Sequence, residues 1–321
     1  MLEDYKIHCQ ERTKLGIPPL PLSAQQTSEL VDLLKEEHGE SKFLLDLLKE
    51  RTPAGVDQAA YVKAGFLADI TTGKTSSPYI PKKEAVMILG TMLGGYNIQP
   101  LIHCLKDAEL GAEAANALST TLLIFDAFND VLELSKTNPN AKKVIDAWAE
   151  GLWFTEKKEI PSQIKLTVYK VPGEINTDDL SPATDSWSRP DIPLHALAMF
   201  KMPREGLEKP LETIEELKKK GNPLAFVGDV VGTGSSRKSA VNSVLWHMGD
   251  DIPAIPNKKE GGFCFGGKIA PIFFNTLEDS GAFPVECDVS QINMGQEIIF
   301  EPLNGKILDA NSGEVLSSFE L

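Results

Sequence analysis

Apolar residues recur at helical spacing through the first half of the chain and give way to strand-like alternation in the second. Ser23 stands where a helix N-cap belongs, and Gln26 three residues on completes a capping box. Leu30, Val31, Leu33 and Leu34 then form an apolar stripe. The pattern returns: LVDLLKE at 30–36 is echoed by LLDLLKE at 44–50, with Gly39-Glu40-Ser41 between them. Further helices are predicted over 57–71, 81–92, 97–107, 110–118, 119–135 and 139–154. Thr52-Pro53-Ala54-Gly55, Ser77-Pro78, Gly94-Gly95 and Asn138-Pro139 break them. Helices of this length joined by short turns suggest a superhelix of stacked repeats, with an ordinary helical bundle as the alternative. Asn97, His103 and Asn129 are isolated polar residues in these helices and read as solvated or satisfied rather than catalytic.

Near residue 160 the texture changes. Lys165 to Val171 alternates as a strand should, and Pro223 to Val231 reads as a buried strand. Pro193 to Met202 and Leu211 to Lys220 between them look helical. After Gly249 the pattern predicts short strands at Ala254-Ile255 and Phe263-Cys264-Phe265, then a helix over 270–279 stopped by Gly281. Antiparallel strands are predicted over 284–289, 297–301, 306–309 and 314–319, with turns at Asn304-Gly305 and Asn311-Ser312-Gly313. The expected architecture is a multidomain α plus α/β chain. An all-α domain spans 1–160, and an α/β domain spans 161–321 behind a charged linker from Glu156 to Glu159.

Composition narrows the partners more than the fold. Hydrophobic residues make up 42% and charged residues 24% of the 321, which suits a soluble globular protein with real cores. No apolar run approaches the roughly 18 residues that span a bilayer. The start, MLEDYKIHCQERTK, has no apolar core of a signal peptide, so a cytoplasmic setting is expected. The net charge of −14 is evenly spread, with 17 basic and 23 acidic residues in 1–160 and 15 and 23 in the remainder. Neither half carries the basic footprint that a nucleic-acid backbone requires, and Lys218, Lys219 and Lys220 are too few to make one. Cys9, Cys104, Cys264 and Cys287 are scattered without metal-type spacing, so reduced, mostly buried thiols are expected and no metal site.

Chemistry concentrates at Gly232-Thr-Gly-Ser-Ser-Arg-Lys-Ser-Ala240. It follows the predicted buried strand and opens a helix with apolar face Ala240, Val241, Val244, Leu245 and Met248. Such a turn aims backbone N–H groups and the positive helix end at one spot. Ser235 and Ser236 add hydroxyls, and Arg237 can grip a carboxylate or phosphate with two hydrogen bonds. The bland alternative is a serine N-cap beside a surface arginine. The dinucleotide fingerprint fails because Arg237 replaces its third glycine, and the phosphate-loop pattern fails because Arg237 precedes Lys238. A carboxylate remains the natural ligand. A second constellation, Asn176-Thr-Asp-Asp-Leu-Ser-Pro-Ala183, reads as a turn or helix cap. Arg189, just before Pro190, is a second clamp expected in an extended conformation.

Together, T-D-x-[LI]-S-P-A with a nearby arginine and G-T-G-S-S-R resemble the swivel domain of aconitases and related hydro-lyases. VGDVVGTGSSRKSA, GGKIAPIFFNTLEDSGAFP and WSRPDIPLHALAM are similar to the bacterial aconitase B branch, as are AGVDQAAYVKAGFLA and LGTMLGGYNI in the helical half. The likeness covers the whole chain. It implies a HEAT-like helical superhelix followed by the α/β swivel domain. It implies interconversion of citrate and isocitrate through cis-aconitate in the tricarboxylic acid cycle, with 2-methylisocitrate dehydration left open. Carried over by position, Ser235 matches the general base, while Ser236 and Arg237 match groups that hold a substrate carboxylate. Arg189 matches another carboxylate-binding arginine, though its gap from Asp178 is one residue short. Asp178 matches an acid that pairs with a histidine on the cluster side, and Asp179 stands where a histidine is usual.

The [4Fe–4S] cluster of the family belongs to domains C-terminal to the swivel domain. The chain stops at Phe319-Glu-Leu321, about where that domain would end, and is read as a fragment. The implied partners are the tricarboxylate and those cluster-bearing domains, with self-association through the helical half as a further expectation. RNA, a second ligand of some aconitases, finds no support in the charge. The alternative reading is a non-catalytic docking or dimerisation module.

Overall fold

The computed structural model describes residues 2–121, 127–155 and 159–320. The chain divides into two compact units. One comprises Met1–Leu15, Pro19–Lys158 and Pro253–Pro256; the other comprises Gly16–Pro18, Glu159–Ile252 and Asn257–Leu321.

The first unit is helical: α1 (Leu2–Lys14), α2 (Ala24–Leu34), α3 (Ser41–Asp46), α4 (Gln58–Thr72), α5 (Lys82–Gly90), α6 (Ile98–Cys104), α7 (Gly111–Ser119), α8 (Phe128–Ser135), α9 (Pro139–Glu150) and α10 (Leu152–Thr155). The Ser23 hydroxyl accepts from the Gln26 amide N–H at 3.2 Å, and Gln26 Oε1 accepts from the Ser23 N–H at 3.0 Å, so the capping box forms. Leu30, Leu34, Leu44, Leu48, Leu67 and Leu101 bury their apolar faces in one core. Asn97 is buried and its amide Nδ2 donates to the carbonyls of Leu89 and Met92, but its Oδ1 is buried with no hydrogen-bond partner, so the expectation of a satisfied residue holds only for the donor.

Several boundaries differ from expectation. The echoed heptapeptide does not repeat its fold, because α3 widens into a π-helix over Leu47–Arg51. The Thr52 hydroxyl bonds to the Leu47 carbonyl at 3.1 Å, and the buried Lys63 ammonium lies 3.5 Å from the Lys49 carbonyl. Those groups take up carbonyls that regular α-helical pairing would have used. The helix expected over 119–135 ends as α7 at Ser119 and resumes as α8 at Phe128; 122–126 lie outside the described residues. The helix expected over 139–154 stops at Glu150, where Gly151 adopts a left-handed φ of 66° and closes it. The sequence pattern does not reveal α1, since Tyr5 and Arg12 are its buried residues. The expected linker from Glu156 to Glu159 falls largely on 156–158, outside the described residues. No helix among the described residues is long and apolar enough to cross a membrane.

The second unit is a mixed α/β structure. Its strands are β1 (Ile164–Asn176), β2 (Leu224–Thr233), β3 (Asp250–Asp251), β4 (Lys259–Glu260), β5 (Phe263–Ile269), β6 (Phe283–Glu286), β7 (Glu297–Glu301), β8 (Lys306–Asp309) and β9 (Val315–Ser318). Seven form one sheet in the order β6-β5-β2-β1-β7-β8-β9, and β3 pairs with β4 separately. β1, β2, β5 and β6 run parallel, and β7 to β9 add an antiparallel meander. The helices are α11 (Thr177–Leu180), α12 (Ile192–Ala196), α13 (Pro210–Lys218), α14 (Arg237–Met248) and α15 (Pro271–Asp279). The alternation of the strands sorts side chains onto two cores. Tyr169, Val171 and Phe226 join the apolar faces of α13, α14 and α15. Leu166, Val168, Ala225 and Val227 pack with Phe265, Ile298 and Phe300 on the other side.

Three expectations here are corrected. The strand at 284–289 is β6, and it pairs parallel to β5 because α15 carries the chain across and returns it in the same direction. Ala254-Ile255 is no strand; Ala254 has φ 62°. The helix expected over Pro193–Met202 stops at Ala196. Phe200 instead turns to φ 56°, donates its N–H to the Asp179 carbonyl at 2.7 Å, and lays its ring on Phe226.

Candidate functional site

The parallel strands β1 and β2 end side by side, with Asn176 opposite Thr233, so the two sequence motifs emerge at one sheet edge. Beyond β2 the chain must turn sharply into α14. Gly232 and Gly234 hold φ of 81° and 112°, values that disfavour any side chain. A Cβ on Gly234 would also overlap the Thr177 hydroxyl and the Asn176 side chain, so the glycine lets the two motifs touch. On the β1 side, Asn176 caps α11: its side chain accepts from the Asp178 N–H at 2.9 Å, and Asp179 accepts from the Asn176 N–H at 2.8 Å. The pair of acids is therefore a helix cap, as the bland reading held, while the Asp178 side chain remains directed to the second motif.

Ser236 joins the two. Its N–H donates to Thr177 Oγ1 at 3.2 Å, and its hydroxyl lies 3.5 Å from Asp178 Oδ1. Arg189 Nη2 donates to the same hydroxyl at 2.9 Å and to the Ser181 carbonyl at 3.3 Å. Asp178, Arg189 and Ser236 are thus brought together. Ser235, exposed, and Arg237, half-buried, stand on the same turn at the start of α14, and their side chains make no hydrogen bond among the described residues. They remain free to meet a ligand. Ala240, Val241, Val244, Leu245 and Met248 of α14 are buried, as the spacing predicted, and Ser243 and His247 are buried with them.

Two details correct the sequence reading. Arg189 is not extended: its φ of −53° and ψ of −34° are helical, at the end of a short 3-10 helix over Ala183–Ser188. The usual aversion of a pre-proline residue to this region is offset by its N–H bond to the Ser186 carbonyl and by the two guanidinium contacts. Ser236 occupies the N-cap position of α14, yet its side chain makes no cap hydrogen bond and serves Arg189 instead.

The sequence reading missed a polar network behind these groups. His195, 2% exposed, meets Ser181 Oγ through Nε2 at 2.7 Å and Ser188 Oγ through Nδ1 at 2.9 Å. Ser181 Oγ also meets Ser239 Oγ at 2.7 Å. Burial, and then the Arg189 charge, push the His195 pKa below its usual value, so the ring is neutral. Arg204 was missed as well. It pairs with Asp179 at 3.1 Å and donates to the carbonyls of Pro172 and Glu174, bracing β1 just before the site.

The donor set does not fit an iron–sulfur cluster. Cys104, Cys264 and Cys287 are buried. Cys264 and Cys287 pack in opposite cores of the sheet, and burial pushes the Cys264 thiol up to about 12 and raises Cys9, Cys104 and Cys287. Among the described residues no group of three or more His, Cys, Asp or Glu side chains could hold a metal ion.

Comparison with known proteins matches these two halves to two family models. Residues 4–154 match the aconitate B N-terminal domain, and residues 166–321 match the aconitate hydratase 2 N-terminus. The whole chain is 61% identical to aconitate hydratase B of Synechocystis, 58% to that of Pseudomonas aeruginosa and 49% to that of Helicobacter pylori. It spans 37%, 38% and 37% of their respective lengths. A solved 3-isopropylmalate dehydratase from Methanocaldococcus jannaschii aligns with 50% of this chain and 83% of its own, at 18% identity and a TM-score of 0.36, too weak a likeness to carry an argument. With identities of 49% to 61% over its full length, and with both halves matched in order, the chain belongs to the aconitate hydratase B family and corresponds to its N-terminal domains.

Proposed function

We propose that this chain is the substrate-gripping N-terminal part of a cytoplasmic aconitate hydratase that interconverts citrate and isocitrate through cis-aconitate. Residues 1–160 serve as a HEAT-like domain and 161–321 as the swivel domain. The observation that carries the reading is the convergence of Arg189, Ser236 and Asp178 beside the free side chains of Ser235 and Arg237. A tricarboxylate demands more than one guanidinium, and two arginines flank this turn. Arg189, Ser236 and Arg237 hold substrate carboxylate oxygens. Ser235 Oγ, as the alkoxide, takes the carbon-bound proton, and the N-terminus of α14 and Arg237 stabilise its negative charge. Asp178 fixes the Ser236 hydroxyl from the opposite side.

In the family, a [4Fe–4S] cluster supplies a Lewis-acidic iron for the substrate hydroxyl. This chain's cysteines do not fit that role, and the cluster belongs to further domains of the whole enzyme; no step above passes through it. The test is kinetic, in full-length, cluster-loaded protein. Ser235→Ala should lower kcat about a hundredfold or more while KM moves little, since loss of a general base acts on the transition state. Arg237→Lys should raise KM about tenfold along with a fall in rate, because the two-point grip is lost. Near-normal turnover in Ser235→Ala removes the base assignment and makes Ser236 the next residue to examine.

A further inference from the structure

His195 lies on α12, away from the glycine turn, and touches neither the turn nor Arg189 through a hydrogen bond. Its two ring nitrogens nevertheless hold both sides of the clamp. Nδ1 meets Ser188, the residue that precedes Arg189 in the chain. Nε2 meets Ser181, whose own carbonyl accepts from the Arg189 guanidinium. Through Ser181 the link continues to Ser239 on the first turn of α14, and the Ser239 hydroxyl lies 3.1 Å from the carbonyl of Ser236. One imidazole therefore spans the segment that carries the arginine and the helix that carries its serine partner.

The protons can be assigned. The Ser188 hydroxyl has one proton, and it lies 2.7 Å from the Asp185 carbonyl, which can only accept. Ser188 Oγ must then accept from His195 Nδ1–H, leaving Nε2 as an acceptor for the Ser181 hydroxyl. With the ring proton on Nδ1, the Ser239 hydroxyl turns its one proton from the Ser236 carbonyl to Ser181 Oγ, and that carbonyl keeps its helical bond from the Ala240 N–H at 3.0 Å. A neutral ring with its proton on Nδ1 satisfies every member, and the burial of the ring and the nearby Arg189 charge favour that form.

We propose that His195 is a positioning residue for the substrate-binding arginine: by bridging Ser188 and Ser181 it fixes the place of the Arg189 guanidinium relative to Ser236. This rests on the reading of Arg189 as a carboxylate clamp. A misplaced clamp weakens ground-state binding before it touches the chemical step, so the signature is a change in KM without kcat.

The experiment is a double-mutant cycle in full-length, cluster-loaded enzyme, with His195→Asn, Arg189→Lys and the double variant. The readouts are KM and kcat for isocitrate and the Kd of tricarballylate, an unreactive tricarboxylate. Asn can keep the Ser188 bond but cannot reach Ser181. It should raise KM and the tricarballylate Kd about tenfold with kcat within about threefold. In the Arg189→Lys background the same change should add less than about twofold, because the clamp it positions is already impaired. Should His195→Asn fail to fold, His195→Gln, which can reach Ser181 but not Ser188, carries the same cycle. Equal losses in both backgrounds, or an unchanged Kd in the folded His195 variant, overturn the positioning role alone. An unchanged Kd in Arg189→Lys overturns the clamp reading and the positioning role with it.

Discussion

His195 and His247 are both buried, and both pKa values fall below the ordinary histidine value, chiefly through burial. His247 Nε2–H donates to the Ala196 carbonyl at 3.0 Å, one residue from His195, so both rings hold the same short helix. Each folded site refuses a proton that the unfolded chain accepts below about pH 6.5. The unfolded state then binds more protons, and stability must fall as pH drops through that value. Urea denaturation at pH 7.5, 6.0 and 5.0 should show a steadily falling midpoint, before the depressed carboxyls of Asp185 and Asp309 add their own loss below about pH 4. An unchanged midpoint from pH 7.5 to 5.0 would contradict the neutral-ring assignment. Residues such as Ser236 and Arg237 were legible because a strand, two glycines and a helix start define them within nine positions. His195 was not legible: between Leu194 and Ala196 it has no local signature, and its partners come from separate turns and helices.

Elements follow the sequence wherever local chemistry decides them. Ser23 with Gln26 fixes the start of α2, Asn138 with Pro139 the start of α9, and Asp57 the start of α4. Replacing Ser23 by Ala removes one arm of the capping box and should cost about 1 kcal/mol. A urea titration of the variant should show a lower midpoint for the helical transition with an unchanged slope. A shift within error would mean that packing of Leu30, Val31 and Leu34 sets this helix end without help from the cap. Where tertiary contacts decide, the sequence misleads. The second heptapeptide, LLDLLKE, has the same apolar spacing as the first, LVDLLKE, yet Thr52 and Lys63 reach its carbonyls and a π-turn results. Arg189 violates the pre-proline preference because Ser236 and Ser181 hold its side chain. The direction of β6 depends on α15 crossing the sheet, which no pattern inside the strand itself encodes.

At the scale of the whole molecule, the change of period near residue 160 marks a helical first half and a strand-rich second half. The order of the sheet was hidden, since β2 sits between β1 and β5 through pairings of long sequence separation. The last prediction concerns what these 321 residues do alone. They contain the proposed base and the two arginines proposed to bind carboxylates, a set suited to binding an anion and receiving a proton. They contain no thiolate set that could ligate a cluster: Cys264 and Cys287 belong to opposite cores of the sheet, and burial keeps both thiols protonated. Loss of the substrate hydroxyl needs a strong acid or Lewis acid at that oxygen, and Ser235, Ser236 and the arginines cannot supply one. The purified chain should therefore convert no isocitrate to cis-aconitate, while tricarballylate still shifts the amide resonances of Gly234 to Arg237 in an NMR titration. Turnover by a colourless, iron-free preparation would overturn the division of labour, and an absence of shifts at Gly234 to Arg237 would overturn the anion site itself.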